Sequence, residues 1–282
     1  MSVIQSVILG LIQGLSEFLP ISSSGHLAVS QHFMGIDPDS VLTFTVMLHF
    51  GTLLAIFIAF WKDIAALLKE LGAVIADIFT GKGLQINKNE TRKLGFMIIV
   101  ASIPTGITGI VLKDFFEGLY SSMISIGIGL IVTGTFLFIA ERSARGIKGV
   151  RESNLIDALV VGICQSLALC PGISRSGSTL VGGLFSGFNR EHAVRFGFLV
   201  SIPAVLGAFL LELKDVIKES PSAGASFDIP VLVIGIAVAA VSGYAAIKVM
   251  ISAVVNRKLI WFSLYTWIAG AALIIYSVLT HN

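Results

Sequence analysis

Residues 171–179 read Pro-Gly-Ile-Ser-Arg-Ser-Gly-Ser-Thr, and this polar stretch interrupts two apolar runs, residues 155–170 and 180–188. Placing an arginine such as Arg175 in hydrocarbon costs about 3 kcal/mol on insertion scales, so its side chain needs a partner. A phosphate fits, because a guanidinium, hydroxyl groups and the backbone amides of a helix start all bind its oxygens. The alternative is an arginine that snorkels to the interface or pairs with a carboxylate.

The whole chain has the composition of an integral membrane protein. Of its 282 residues, 55% are hydrophobic and 13% are charged, and the mean hydropathy is +0.92. Soluble domains carry roughly 25% charged residues. Six apolar segments are long enough to cross or nearly cross a bilayer. A membrane β-barrel would alternate polar and apolar residues in strands of about ten, so we predict an all-α integral membrane protein with six transmembrane helices.

Two further apolar segments are broken by polar tips. In the first, residues 17–26 (Glu-Phe-Leu-Pro-Ile-Ser-Ser-Ser-Gly-His) interrupt the apolar sequence, and in the second residues 171–179 do so. The arms on either side are too short to cross alone, and irregular backbone at membrane depth occurs only where it is covered by protein or lines a cavity. We therefore predict two re-entrant helical hairpins, at residues 3–36 and 155–188, whose tips line a cavity.

The two halves of the chain resemble each other at an offset of 152 residues, which places Gln13 on Gln165, Ser22 on Ser174 and Gly25 on Gly177. We predict one membrane domain built from two repeats with an inverted topology, because an odd number of spans follows each hairpin. Sites in such proteins lie near the midplane at the repeat interface. Repeat one, residues 1–141, has the hairpin 3–36 and spans 41–61, 94–113 and 123–141; repeat two, residues 153–282, has the hairpin 155–188 and spans 193–213, 229–250 and 259–280.

The distribution of Lys and Arg predicts the orientation. If residue 61 ends on the cytoplasmic side, fifteen Lys and Arg residues lie on that side and three lie outside. Cytoplasmic loops carry an excess of these residues, so the first hairpin is expected to enter from the outside and the second from the cytoplasm. Residues 64–79 have apolar residues at helical spacing with charges between them, which predicts an interfacial helix on the cytoplasmic side.

The first tip carries two candidates on one helix face. Gln13 and Glu17 are four residues apart, so they share a face just before the break. Glu17 is the carboxylate nearest to mid-membrane in the first half, and it would bind a divalent cation or orient Arg175. A structural ion pair between Glu17 and Arg175 is the alternative.

Residues 22–24 are three serines before a helical run, more hydroxyl groups than an N-cap requires. Ser23 aligns with Arg175 in the repeat, which suggests a nucleophile on one tip and an anion clamp on the other. His26 lies one turn along and is a candidate general base or acid, against the alternative of a hydrogen-bonded structural histidine. His49 lies alone in a span and is predicted to be structural.

In the second tip, Ser176 and Thr179 are three residues apart at a helix start, so both hydroxyls are expected to face the ligand of the free amides. Ser174 and Ser178 are secondary candidates. The chain has no P-loop, no HExxH zinc motif and no basic stripe, which excludes a nucleic-acid partner.

Residues 13–17 fit the pattern (E/Q)xxxE and residues 171–179 fit PGxSRSxxT, so the chain resembles the bacterial undecaprenyl-diphosphatase family, also called bacitracin resistance proteins, over essentially its whole length. The resemblance implies an enzyme of the bacterial inner membrane that removes the terminal phosphate of undecaprenyl pyrophosphate on the periplasmic side. It also implies recycling of the lipid carrier for peptidoglycan synthesis, bacitracin resistance, and activity supported by Mg²⁺ or Ca²⁺. Some members carry Glu where this chain has Gln13, so a metal site of Glu17 and Gln13 has less charge here.

The resulting hypothesis is nucleophilic displacement at the terminal phosphorus. Ser23 attacks, His26 takes its proton, and Glu17 holds a cation or orients a partner, although His26 is an alternative nucleophile. The phosphate oxygens would be stabilised by Ser174, Arg175, Ser176 and Thr179. The expected partners are undecaprenyl pyrophosphate, membrane lipid and a second copy of the chain in a homodimer. The alternative function is a lipid-phosphate flippase or transporter, since inverted repeats with paired hairpins are a transporter plan.

Overall fold

The computed structural model describes residues 1–36, 42–120, 122–219 and 229–280. Residue 41, the first of the predicted first span, lies outside them. This described part folds into helices, with no strand longer than an isolated bridge between Lys148 and Phe188. The helices are α1 (Val3–Phe18), α2 (Ser23–Phe33), α3 (Leu42–Ala59), α4 (Trp61–Phe79), α5 (Glu90–Val111), α6 (Lys113–Tyr120), α7 (Met123–Ser143), α8 (Leu155–Leu167), α9 (Arg175–Phe185), α10 (Arg190–Glu219), α11 (Ile229–Val255) and α12 (Leu259–Thr280).

Five of the described helices are long and apolar enough to cross a membrane: α5, α7, α10, α11 and α12. A sixth span results if α3 and α4 count as one, although the chain bends by 81° between them. This bend separates the apolar helix α3 from α4, which carries charged residues along its length and matches the predicted interfacial helix. The prediction of an all-α, multi-pass membrane protein is confirmed.

Both predicted tips are breaks between short helices, and the same kind of residue caps the helix after each break. Ser22 accepts a hydrogen bond from the Gly25 amide at 3.4 Å, and Ser174 accepts one from the Gly177 amide at 3.2 Å. These N-caps satisfy amides that a helix start leaves without an intrahelical partner. Ser22 has φ +73°, a strained conformation for a residue with a side chain. Each helix start therefore faces the opposite tip with a defined backbone geometry.

The hairpin arms pack across the two halves of the chain. Helix α1 lies along α11, and α8 lies along α5; α7 pairs with α12. Small residues allow this approach: a Cβ on Gly14 would lie 2.0 Å from Ser242 Oγ, and one on Gly162 would lie 2.2 Å from Ala101 O. One arm of each hairpin thus packs against a helix of the other half, as expected for two interlocked repeats. The inverted topology, the repeat boundaries and the re-entrant depth of the hairpins stay predictions.

A buried guanidinium ties α4 to α5 at the predicted cytoplasmic side. The side chain of Arg92 is fully buried, with Nε 2.6 Å from Glu70 Oε1 and a terminal nitrogen 2.8 Å from Asp77 Oδ2. Lys88 Nζ lies 2.9 Å from the same Asp77 oxygen. The hydrogen bond from Arg92 lowers the pKa of Glu70, and hydrogen bonds from Lys88 and then Arg92 lower the pKa of Asp77.

We expect Arg92→Leu to lower the thermal midpoint by several degrees at neutral pH, because two carboxylates then lose their buried partner. The ordinary pKa values of Glu70 and Asp77 are 4.5 and 3.8, and the folded values are lower. The stabilisation is therefore fully present above these values and is lost as the pH falls through the folded-state pKa values. The difference between wild type and variant should shrink below about pH 4. Thermal unfolding in detergent across pH measures it, and Arg145→Leu, at an exposed site, is the control. Equal midpoints at neutral pH would contradict this account.

Candidate active site

The two tips meet around a small polar cavity of about 100 Å³. Residues 22–24 and Glu17 line it from the first tip, and Ser174 and Arg175 line it from the second. Its volume is well below the ~300–1,000 Å³ typical of drug-sized ligands, so it suits a headgroup and not a lipid chain. The convergence expected of the two polar breaks is thus present.

Glu17 is the residue that connects the two tips. Ser23 Oγ donates a hydrogen bond to Glu17 Oε2 at 2.6 Å, and Gln13 Nε2 donates to the same oxygen at 3.1 Å. The other oxygen, Oε1, lies 3.5 Å from a terminal nitrogen of Arg175. The Arg175 side chain is 30% exposed and that of Glu17 is 7% exposed. A fork of five N–H donors at this distance from one carboxylate can still bind oxygens in the cavity.

Gln13 stands behind Glu17 and does not line the cavity. Its side chain is fully buried, and its Oε1 has no hydrogen-bond partner in the described part of the chain. Carboxylate and amide oxygens are the donor types that Mg²⁺ and Ca²⁺ prefer. Within the same described residues, no three His, Cys, Asp or Glu side chains come together as a metal site. The protein therefore offers two oxygen donors here, one of them charged.

His26 does not line this cavity, although it follows Ser23 by only one turn. Its Nδ1 is 2.8 Å from Ser22 O, and its Nε2 is 2.6 Å from the hydroxyl of Tyr265. Because a carbonyl only accepts, Nδ1 carries the proton, and in the neutral ring Nε2 accepts from Tyr265. The structure therefore does not bring His26 to Ser23: both ring nitrogens are engaged elsewhere, and the serine hydroxyl contacts Glu17. The catalytic role of His26 stays a prediction.

Two of the four predicted phosphate ligands, Ser174 and Arg175, line the cavity, and the other two do not. Thr179 Oγ1 donates to carbonyls of its own helix, at 3.1 Å from Arg175 O and 3.3 Å from Ser176 O, as helical hydroxyls often do. Ser176 Oγ contacts Ser174 Oγ at 3.1 Å and reaches Leu19 O at 3.2 Å. Ser176 thus joins the second tip to the first.

Helix α7 packs against the backbone of the second tip. Thr133 Oγ1 donates to Gly172 O at 3.1 Å and accepts from the Ser174 amide at 3.0 Å. Gly172 has φ +82°, and a Cβ on Gly129 would lie 2.2 Å from Pro171 O. The backbone of the second tip therefore lies in direct contact with the backbone of α7. This contact fixes the position of Arg175 relative to Glu17.

Two polar residues of the cavity wall that lie outside the hairpins were missed by the sequence analysis. His49, on α3, was predicted to be structural, and Tyr120, at the end of α6, was not singled out. The signal for His49 was available, since an ionisable residue within a membrane span is a functional candidate by default. No spacing rule connects Tyr120 to either tip, because it reaches the cavity only through tertiary packing.

A family model described as bacitracin resistance protein BacA matches residues 6–272. The chain belongs to the BacA family. A relative from Alkaliphilus metalliredigens is 47% identical over 279 residues, covering 99% of this chain and 100% of its own. One from Methanosphaera stadtmanae is 43% identical over 283 residues, covering 99% of both chains, and one from Carboxydothermus hydrogenoformans is 40% identical over 275 residues, covering 98% of this chain and 97% of its own. All three are named undecaprenyl-diphosphatase.

Membership of the BacA family confirms the resemblance drawn from residues 13–17 and 171–179, which both lie inside the matched region. In this BacA-family chain the two motifs face each other through Glu17 and Arg175. The catalytic roles of individual residues stay predictions, because family membership places the motifs without testing what each side chain does.

We expect ¹⁵N NMR of the neutral His26 ring to show a protonated Nδ1 and an unprotonated Nε2. Tyr265→Phe keeps the ring stacked on His26, where the centroids are 5.6 Å apart, but removes the hydroxyl donor. The Nε2 resonance should therefore shift, while Nδ1 stays protonated by its bond to Ser22 O.

Tyr276→Phe is the matched control, because the Tyr276 hydroxyl lies 3.2 Å from Nε2 of His32 and not of His26. It should move the His32 resonance alone. A protonated Nε2 with an unprotonated Nδ1 in wild-type His26 would contradict the assignment of its partners.

Proposed function

We propose that this protein is an undecaprenyl-diphosphatase, an enzyme that hydrolyses undecaprenyl diphosphate to undecaprenyl phosphate and inorganic phosphate. The BacA family and the names of full-length relatives support this activity. The observation that carries the site assignment is the cluster in which one buried carboxylate, Glu17, contacts both Ser23 and Arg175. A nucleophile, its proton acceptor and an anion-binding group are the parts that phosphoryl transfer needs.

In the first step, Ser23 Oγ attacks the terminal phosphorus and passes its proton to Glu17 Oε2, 2.6 Å away. The Oγ–P bond forms and the bond from phosphorus to the bridging oxygen breaks. The bridging oxygen keeps the electron pair and leaves with undecaprenyl phosphate. Glu17 takes here the role first considered for His26, because it is the group within hydrogen-bonding distance.

In the second step, water attacks the phosphoserine phosphorus and the Oγ–P bond breaks. Glu17 returns its proton to Ser23 Oγ, and the water retains both hydrogens in dihydrogen phosphate. The carboxylate and the serine are then restored, so one residue acts as base in the first step and as acid in the second.

Arg175 stabilises the charge on the transferring phosphate in this scheme. Its guanidinium presents a planar set of donors that matches phosphate oxygens. It is also the first residue of α9, so the positive end of the helix dipole lies next to the cavity that Arg175 lines. Ser174 lines the cavity beside it. Ser176 and Thr179 support this helix start and act on the phosphate indirectly.

A divalent cation, Mg²⁺ or Ca²⁺, is part of the proposal. Glu17 would hold it, and the unpartnered oxygen of Gln13, which lies behind the cavity wall, is the second oxygen donor of the proposed site. When bound, such a cation neutralises phosphate charge and polarises the P–O bonds.

The location of the reaction follows from the predicted orientation. With fifteen Lys and Arg residues on one side and three on the other, the first hairpin enters from outside. This supports a multi-pass protein of the bacterial inner membrane whose site faces the periplasm. There the reaction would recycle the lipid carrier for peptidoglycan synthesis, and membership of the BacA family associates it with bacitracin resistance. A homodimer stays a prediction.

A lipid-phosphate flippase is the second candidate that the predicted repeat allows. A flippase needs to bind the phosphate, for which Arg175 suffices, but it needs no attacking hydroxyl. The short contact between Ser23 and Glu17 favours the enzyme, because a binding site alone gives no reason to aim a hydroxyl at a buried base.

We expect Ser23→Ala to reduce phosphate release from undecaprenyl diphosphate by at least about 1,000-fold, as loss of a nucleophile does elsewhere. Arg175→Ala should cost about 100- to 1,000-fold through lost charge stabilisation. The rate of phosphate release by each variant is measured with purified protein in detergent. Acid quenching of the wild type with substrate radiolabelled in its terminal phosphate should leave label on Ser23.

The controls are Ser143→Ala and Arg145→Ala, which change exposed residues outside the cavity. Label on a histidine would assign the nucleophile to His26 instead. A Ser23→Ala variant that releases phosphate at the wild-type rate would remove Ser23 from the mechanism, and one that only moves lipid phosphate would identify a flippase.

We expect Gly129→Val to abolish most activity while the helices stay folded, because the new side chain displaces Pro171 and with it Arg175. Misplacing a catalytic group by about 1 Å can cost 100-fold in rate. Gly106→Val in α5 is the matched control, since a Cβ there meets nothing within 4 Å. Full activity of Gly129→Val would show that the second tip does not depend on α7.

A further inference from the structure

A second cavity is lined by the residues of α2 that directly follow those of the polar cavity. It has a volume of about 360 Å³ and lies between α2, α7 and α12. Its wall is mainly apolar, with Val29 and Phe33 from α2, Leu130 from α7, and Ala269 and Leu273 from α12. We refer to this cavity as the apolar groove; its wall is completed by Gly25, His26, Tyr265, Ala272 and Tyr276.

The two cavities share one turn of α2. Residues 22–24 line the polar cavity, and the next two residues, Gly25 and His26, line the apolar groove. The ring of His26 and the ring of Tyr265 stack at this junction with an interplanar angle of 17°. A molecule that extends from the polar cavity along α2 therefore passes from hydroxyls and a guanidinium to hydrocarbon side chains.

We propose that the apolar groove holds the first isoprene units of the substrate chain while the diphosphate lies in the polar cavity. This inference rests on the proposed function and names the part of the substrate that the polar cavity cannot accommodate. A prenyl diphosphate joins a highly charged group to a hydrocarbon chain through one P–O–C link, and the protein places cavities of these two chemistries side by side. The volume of the apolar groove lies in the usual range for small-molecule sites.

The shape of the apolar groove defines how much chain it takes. From His26 to Phe33 the α2 axis advances about 10 Å, at 1.5 Å per residue. At that end the rings of Phe33 and Tyr276 lie 5.1 Å apart. Phe33 is 63% exposed and Tyr265 is 45% exposed. The apolar groove is therefore open along one side, through which the remainder of a long chain would continue into the bilayer.

The apolar groove would act through positioning. Inside a bilayer the chain is already in hydrocarbon, so moving it into the apolar groove gains little from the hydrophobic effect. Close packing against Ala269 and Leu273 instead fixes the direction in which the chain leaves the phosphate. Displacement at the terminal phosphorus requires the bridging oxygen to lie opposite Ser23, and a chain held in the apolar groove would restrict the positions that this oxygen can adopt.

Filling the apolar groove tests this assignment. Ala269→Phe and, as a second variant, Ala272→Phe place a ring in it, and Ala271→Phe places the same ring on an exposed site of α12 outside it. We compare kcat/KM for undecaprenyl diphosphate with kcat/KM for methyl diphosphate, which carries no isoprene unit. The ratio of the long-chain to the short-chain value should fall about 10-fold in both variants, from lost packing, and stay unchanged in Ala271→Phe. An unchanged ratio in both variants would overturn the proposal.

Photolabelling tests the same point without relying on turnover. An undecaprenyl diphosphate with a diazirine on its first isoprene unit, bound to Ser23→Ala protein, should label α2, α7 or α12 at the apolar groove, and unlabelled substrate should compete. Label elsewhere overturns the proposal. Equal labelling by a diazirine phospholipid, without competition by the substrate, identifies ordinary bilayer lipid as the occupant, and cross-links that join two chains identify a second copy; both overturn it as well.

The two proposals fail in different ways. If Ser23→Ala and Arg175→Ala retain wild-type phosphate release, the catalytic assignment fails whatever the label shows. Alternatively, these two variants are inactive while the kcat/KM ratio is unchanged in the groove variants and the label lies elsewhere. The catalytic assignment then stands, and the assignment of the apolar groove to the prenyl chain is wrong.

Discussion

A buried carboxylate forms the ionic link between the two broken hairpins. Glu17 contacts Ser23 of its own hairpin and Arg175 of the other. An unpaired charge within a membrane protein is costly. Removing Glu17 or Arg175 would leave the other residue as such an unpaired charge. The pair is thus a structural requirement as well as a chemical one. The 3.5 Å separation of Glu17 and Arg175 is longer than a strong charge-assisted hydrogen bond, so it leaves room for a competing anion. A phosphate entering the cavity can engage Arg175 while Ser23 stays on the other carboxylate oxygen.

The surrounding fold supplies the rigidity that this pair needs. On the first tip, the ring of Phe18, next to Glu17, lies 6.0 Å from Phe198, which also contacts Phe60 at 5.5 Å. On the second tip, Thr133 binds both sides of the break at Gly172 and Ser174. Neither support involves a charged group. The ion pair of Glu17 and Arg175 is therefore held in position by apolar packing and by hydrogen bonds of an uncharged side chain.

The sequence was sufficient to predict the membrane class, the two breaks and the meeting of Glu17 with Arg175, because polar residues in apolar segments are costly and must be paired. It was insufficient for side-chain direction. His26 and Thr179 sit at the expected positions on their helices, but each hydrogen-bonds to a backbone carbonyl within four residues, and His26 also to Tyr265. A hydrogen bond to a nearby backbone carbonyl competes with an orientation of the side chain towards the ligand. Helical spacing does not reveal which of the two the side chain adopts. His49 and Tyr120 reach the cavity through tertiary packing, which spacing along the chain does not record.

Comparison of positions 152 residues apart distinguishes residues that build both tips from residues that carry the proposed chemistry. Ser22 and Ser174 are both N-caps, and both Gln13 and Gln165 are buried with an unpartnered Oε1. The amide nitrogen of Gln13 binds Glu17, whereas that of Gln165 binds Thr105 Oγ1 at 3.0 Å. The unpartnered oxygen is therefore common to both tips in the described part of the chain, and Glu17 supplies the charge of the proposed cation site. Leu169 stands at the position that corresponds to Glu17, and Arg175 at the one that corresponds to Ser23. Among the differences between the two tips, these two make the tips complementary in charge, and the proposed chemistry depends on them.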